Sequence, residues 1–264
     1  MVTRRAGVAG MFYPGEHRSL ESLLGDFFRN AEVECPDSYG IVSPHAGYPY
    51  SGQLSASAFS TIPKSFKGTF ILIGPSHSGF PTCISAIPWE TPLGNVDVDL
   101  DLIGNLDLNI DEFSMAYQEN SLEVQIPFIK YHFPDAKIVP VLMGDQSYKE
   151  AISLADSILK AINITGSDVR IVASSDFSHY IPEDIAKRQD LYAIDALKNL
   201  NIEEFYRRIK EEGVSACGYG PISVMVSVCR RLGATHGHLI KYTTSGETTG
   251  DYSQVVGYAA IAVV

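Results

Sequence analysis

What this chain of 264 residues lacks already narrows its identity. It has four cysteines, at 35, 83, 217 and 229, and no Cys-x-x-Cys pair among them. That spacing offers neither a disulfide framework nor a zinc ribbon, so reduced thiols are the default. No apolar run approaches the ~18 residues of a membrane span. The basic opening Met1-Val2-Thr3-Arg4-Arg5 leads into Ala6 to Phe12, a stretch too short and too glycine-rich for a secretory core. Basic residues are scarce: 20 Lys and Arg stand against 31 Asp and Glu, a net charge of −11. Without a basic stripe, nucleic acid is not an expected partner. These absences predict a soluble cytoplasmic protein with no membrane and no nucleic-acid partner.

Several catalytic signatures are missing too. The chain has no Walker A loop, no Gly-x-Gly-x-x-Gly turn and no His-Glu-x-x-His pair. Gly74-Pro75-Ser76-His77-Ser78-Gly79 is one residue too long for a Gly-x-Ser-x-Gly elbow. There is no internal repeat, low-complexity tract or flexible linker. The length allows one large or two small domains, and no shift of composition marks a boundary. A single domain, 1–264, is the expectation.

What is present is a core: 45% of the residues are hydrophobic and only 19% charged. Residues 16–33 carry Leu20, Leu23, Leu24, Phe27, Phe28 and Ala31 at helical spacing. Short unalternated β-type runs follow at 40–42, 69–73, 83–87, 137–142 and 169–173. Such runs suit strands buried on both faces of a mostly parallel sheet. Helical patterns lie near 122–133, with Pro127 as an irregularity, and near 152–162, 183–198, 202–212 and 221–232. Strands near 238–244 and 255–263 close the chain. Residues 88–118 show the least periodicity and are expected to form a long loop or lid. The alternation predicts an α/β fold.

Polar residues fall at particular places in that frame. Ile41-Val42 runs into Ser43-Pro44-His45-Ala46-Gly47-Tyr48, and Phe70 to Ile73 into Gly74-Pro75-Ser76-His77. Ile171 to Ala173 runs into Ser174-Ser175-Asp176-Phe177-Ser178-His179. Carboxyl ends of parallel strands share one edge of a sheet, where ligand sites form. A single histidine after a strand is an ordinary loop residue; three of the chain's seven at three strand ends point to a shared site.

Cys217-Gly218-Tyr219-Gly220-Pro221 leads into the last apolar helix, with Pro221 suited to its first turn. A thiol at a helix N-terminus is expected to ionise more easily; the plainer reading is a structural thiol beside a tight turn. Cys83 and Cys229 read as packing residues, and Cys35 as part of a loop. Two imidazoles with a thiolate, or with a carboxylate, leave positions open on a divalent ion such as iron, copper, zinc or manganese. Asp176 and His179 would then orient a ligand or move protons. Glu119 and Glu123 would share one face if their segment is helical, as a candidate carboxylate helper or as a capped, solvated helix start.

Taken in order, these motifs resemble the Memo family, whose human member is a cell-motility effector and whose archaeal and bacterial relatives are called AmmeMemoRadiSam system protein B. The likeness runs from Arg5-Ala6 and Phe12-Tyr13-Pro14 through Pro44-His45-Ala46-Gly47-Tyr48, Gly74-Pro75-Ser76-His77 and Glu119-Asn120-Ser121-Leu122-Glu123. It continues through Ser174-Ser175-Asp176-Phe177-Ser178-His179 and Cys217-Gly218 to Tyr258-Ala259-Ala260. The resemblance implies a fold like that of the class III extradiol dioxygenases, which are non-haem iron enzymes. It also implies metal ligation by His45, His77 and Cys217, with Asp176 and His179 as catalytic neighbours. Iron or copper is the implied metal, with zinc as an alternative, and a radical-SAM protein is an implied partner. Many relatives have Glu-His-Ser where this chain has Glu119-Asn120-Ser121; Asn120 carries no proton as histidine would.

Three functions follow as expectations. One is a metal-dependent oxidoreductase, dioxygenase-like, acting on a small molecule. Another is a binding or adaptor protein that engages a protein or peptide through a degenerate pocket. The third is a thiol hydrolase built on Cys217 and His179.

Overall fold

A computed structural model describes residues 2–31, 37–117 and 119–264; Cys35 lies outside them. The strands are β1 (Gly40–Ser43), β2 (Thr69–Pro75), β3 (Cys83–Ile84), β4 (Trp89–Thr91), β5 (Gly94–Val96), β6 (Lys137–Met143), β7 (Val169–Ser174), β8 (His179–Ile181), β9 (Gly237–Thr244) and β10 (Val255–Val263). The helices are α1 (His17–Arg29), α2 (Tyr48–Phe59), α3 (Leu100–Ile103), α4 (Glu112–Ala116), α5 (Ile126–His132), α6 (Tyr148–Thr165), α7 (Glu183–Asp195), α8 (Ile202–Glu212), α9 (Tyr219–Leu232) and α10 (Gly246–Thr249).

Eight strands form the central sheet in the order β3-β6-β2-β7-β1-β10-β8, with β9 on the other edge of β10. The middle four, β6-β2-β7-β1, are parallel. Their side chains are buried almost throughout, and all seven residues of β2 are. This is the α/β, mostly parallel arrangement that the unalternated runs predict. The flanks are antiparallel: β3 runs against β6, and β10 against β1, β8 and β9. Helix α9 packs on β7, β1 and β2 and against α6; α2 covers β1 and β10 beneath α1. Among the described residues no helix is long and apolar enough to cross a membrane.

Caps fix both ends of α6. The Ser147 hydroxyl accepts the Glu150 N–H at the start of α6, and Gly166 ends it with φ of 67°.

Two expectations need correction, and one helix lies where the sequence pattern predicts none. The expected loop or lid at 88–118 is, over its described residues 88–117, structured: it holds the β4–β5 hairpin and the single turns α3 and α4. The hairpin's Trp89 is buried and donates its indole N–H to Ser85. The run at 83–87 gives only a two-residue antiparallel edge strand, because Ser85 and Ala86 turn their polar groups to Glu112. Helix α2 was not apparent in the pattern. Its buried Ser51, Ser55 and Ser57 donate to the carbonyls of Ala46, Pro44 and Gln53, so hydroxyls occupy an interior face that looks polar in sequence.

Candidate metal centre

The four parallel strands end on one edge of the sheet. There β1 delivers His45, β2 delivers His77 and β7 delivers Asp176, each two residues past its strand. Cys217 arrives from across the chain, just ahead of α9. One side-chain donor from each of His45, His77 and Cys217 lies within 4.8 Å of the others. Cys217 Sγ and His45 Nε2 are 3.2 Å apart, and the two imidazoles meet edge to face with centroids 5.2 Å apart.

Hydrogen bonds decide which nitrogen each ring presents. Ser174 Oγ donates to Ser121 O at 2.6 Å, so its lone pairs face His45 Nδ1 at 2.9 Å and Gln125 Nε2 at 2.9 Å. His45 Nδ1 must therefore carry the proton, leaving Nε2 bare toward Cys217. His77 Nδ1 lies 2.9 Å from Glu119 Oε1 and donates to it, which likewise leaves Nε2 bare. Tying the remote nitrogen to a carboxylate or hydroxyl is how proteins orient imidazole ligands.

The electrostatics of the two rings diverge. Burial holds His45 below the ordinary histidine range, against the opposing pull of Asp176. The Glu119 hydrogen bond outweighs partial burial and raises His77, whose side chain is 38% exposed. Burial pushes Glu119 up, yet hydrogen bonds from the His77 ring, the His77 N–H and the Ser121 N–H hold it down to about 2.

Cys217 departs from expectation. Burial first, and the Asp176 carboxylate next, push its thiol well above the usual range instead of below it. The amides at the start of α9 do not serve the sulfur: Gly218 N–H donates to Ser175 Oγ and Gly220 N–H to Gln146 Oε1. The sulfur receives the Asp176 N–H at 3.3 Å, and this and the Ser175 hydroxyl do not offset the burial. The loop is tightly seated, since a Cβ on Gly218 would stand 2.4 Å from Ser174 O.

Asp176 is buried. Its Oδ1 accepts the His45 N–H at 2.8 Å, and its Oδ2 lies 3.9 Å from His45 Nε2. His179 is not part of the cluster. It begins β8, and its N–H and Nδ1 both bond Ser215, leaving Nε2 with no hydrogen-bond partner among the described residues. With Asp176 it lines a cavity of about 360 Å³ walled by Phe12, Tyr50, Tyr180 and Tyr258. The imidazole beside Cys217 is thus His45, not His179, and the expected Cys217–His179 pair does not form.

Glu119 and Glu123 also differ from expectation: both are buried, and they serve different partners. Residue 119 precedes the short 3₁₀ turn Glu123–Gln125, so the two carboxylates do not share a helical face. Asn120 donates through Nδ2 to His45 O at 3.1 Å, a structural bond without proton transfer. Ser174, Ser121 and Gln125 were not singled out from the sequence, because their bonds to this network depend on backbone placement.

The donor set fits a metal ion. Two imidazole nitrogens and one sulfur converge, and the buried hydroxyl of Ser76, the residue before His77, has no hydrogen-bond partner among the described residues. Cys83 and Cys229 are buried in the core and take no part.

A family model described as Memo-like protein matches residues 4–262. Among similar curated proteins, a MEMO1 family protein of Methanococcoides burtonii is 41% identical over 98% of this chain and 99% of its own length. MEMO1 family proteins of Archaeoglobus fulgidus and Nitrosopumilus maritimus are 40% and 37% identical, covering 98% and 99% of both chains respectively.

Proposed function

Since the chain belongs to the Memo family, we propose that it is a metal-dependent redox enzyme acting on a small molecule, with the ion held by His45, His77 and Cys217. The observation that carries this reading is the convergence of two imidazoles whose outer nitrogens are already tied, by Ser174 and Glu119, with a thiol between them and Asp176. Iron or copper suits imidazole and sulfur together, with zinc as the redox-inert alternative. Such an ion supplies Lewis-acid activation or electron transfer when bound. The chain's own residues supply the rest. The aromatic cavity receives the substrate, His179 Nε2 exchanges a proton with it, and Asp176 fixes the His45 backbone while contributing negative charge beside the ligands.

Protein prepared anaerobically and without a tag is expected to contain near-stoichiometric iron or copper, lost in both His45→Ala and Cys217→Ala. No bound metal, and no affinity for added iron, copper or zinc, would overturn the reading.

One observation favours an adaptor role instead. Met11 and Tyr180 are each more than 70% exposed at the cavity wall, which suits contact with a protein or peptide. That reading requires partner capture that survives His45→Ala; a pull-down that fails with the variant would refuse it.

A further inference from the structure

Both candidate histidine ligands depend on one short segment, 119–121. Glu119 holds the His77 ring and backbone. Ser121 O holds the Ser174 hydroxyl that receives His45 Nδ1. Asn120 holds the His45 carbonyl. The segment forms no helix or strand of its own, so something must fix it. That role falls to the N-terminus of the chain. Arg4 is 5% exposed, and its fork divides among four partners: Nε donates to Met115 O at 3.0 Å, Nη2 to Glu119 O at 3.1 Å, and Nη1 to Glu123 Oε2 at 2.6 Å and to Arg5 O at 3.2 Å. The guanidinium also lies over the Trp89 ring, 4.1 Å from its centroid.

Glu123 completes the seat. Its carboxylate, 1% exposed, accepts four donors: Arg4, the N–H groups of Gly7 and Val8, and the Tyr13 hydroxyl. Residues 4–13 therefore wrap one buried carboxylate. Phe12, near the far end of the strap, is a wall of the cavity that holds His179.

We infer that Arg4, seated on Glu123, is a positioning residue for the metal centre, acting through the 119–121 segment on the outer nitrogens of His45 and His77. This rests on the metal-site reading above, and it assigns a task to the N-terminal strap that no ligand performs. A lysine keeps the charge but lacks the planar fork needed to reach three carbonyls and a carboxylate together.

The test uses the full-length protein with cobalt(II) as the bound probe. Affinity is read by chelator competition, and ligand geometry by the sulfur-to-cobalt absorption band. Arg4→Lys and Glu123→Gln are expected to weaken cobalt binding about 10–100-fold, as the loss of an outer partner does elsewhere. The control is Thr69→Val, which removes a buried hydrogen bond to Asp99 well outside the cluster. It should lower the melting temperature and leave cobalt affinity unchanged. An Arg4→Lys/Glu119→Gln double variant should lose less than the sum of the single losses, because both act on the same ring.

A second readout needs no metal. Amide exchange of the His77 and Ser121 N–H groups, both bonded to Glu119, should accelerate in the Arg4 variant relative to the Thr69 control. Failure of the wild-type protein to bind cobalt would count against the metal-site reading alone, and amide protection would still decide the role of Arg4. Unchanged protection, or unchanged cobalt affinity in protein that does bind it, would overturn the inference.

Discussion

His45 and His77 follow β1 and β2, the parallel strands on either side of β7, and each is held at ring and backbone by buried groups: Ser174 and Asp176 for one, Glu119 for the other. His179 begins the short antiparallel β8 and is also held twice, but by Ser215, which is exposed. Beside it Tyr180 takes a left-handed φ of 58° with most of its ring in solvent. Groups that must not move are anchored in the interior, where an unpaired partner is costly. The group assigned to proton exchange is anchored at the surface, where its surroundings readjust at little cost.

That contrast can be broken most severely at the ligands. Cys217→Ala and His45→Ala should each reduce metal affinity by more than about 100-fold, exceeding the cost of losing an outer partner. His179→Gln should leave affinity unchanged. Equal losses in all three, measured by chelator competition, would erase the distinction between the two ends.

The next effect concerns Glu119 and pH. Because Glu119 raises His77, its ring is protonated at a higher pH than an ordinary histidine, and under the proposed function that proton would compete with the metal. Apparent affinity should therefore fall early as pH drops, with an inflection above the ordinary histidine value of about 6.5. Glu119→Gln should move that inflection lower while weakening binding about 10–100-fold at high pH. An unmoved inflection would mean that Glu119 does not control His77.

A smaller effect isolates the other end. Asp190 is buried and accepts Ser178 N–H and Oγ–H together with the Tyr242 hydroxyl, fixing the turn that leads into His179. Asp190→Asn should cost on the order of 1–3 kcal/mol of stability, since its amide NH2 turns a donor toward donors. Metal affinity should not respond.

The smallest effect is a pH slope. Burial, with Lys64 adding to it, lowers His132 to about 4, while the unfolded chain titrates near the ordinary value. The unfolded state therefore binds more protons between these limits, and stability falls as pH drops from about 6.5 toward 4. His132→Gln should flatten part of that slope in urea melts at successive pH values. An unchanged slope would assign it to other groups, His45 among them.

The strand-end rule made His45, His77 and Asp176 legible in the sequence, because unalternated apolar runs mark parallel strands and their ends share an edge. Cys217 was legible as a candidate from the glycines around it, but its electrostatics were not: the helix amides that would lower a thiol are bonded elsewhere. Glu119 stood out as a charge, whereas its function depends on a non-helical turn that spacing cannot reveal. Helix α2 escaped notice for a related reason, since serine hydroxyls bonded to the preceding turn pack as small apolar groups. Arg4 gave no signal at all; a single arginine near a terminus is ordinarily a solvated charge.

The glycines at the sheet edge carry a consequence for how such a site diversifies. A side chain at Gly74 would collide with Ser121 and Leu122, and one at Gly218 with the carbonyl of Ser174. The floor is therefore frozen by sterics that no single replacement relieves. The walls are not: Met11, Tyr50 and Tyr180 face solvent and can be exchanged without disturbing a buried bond. Replacements at these three rim positions would reshape what the cavity admits and leave the buried hydrogen bonds beneath it in place.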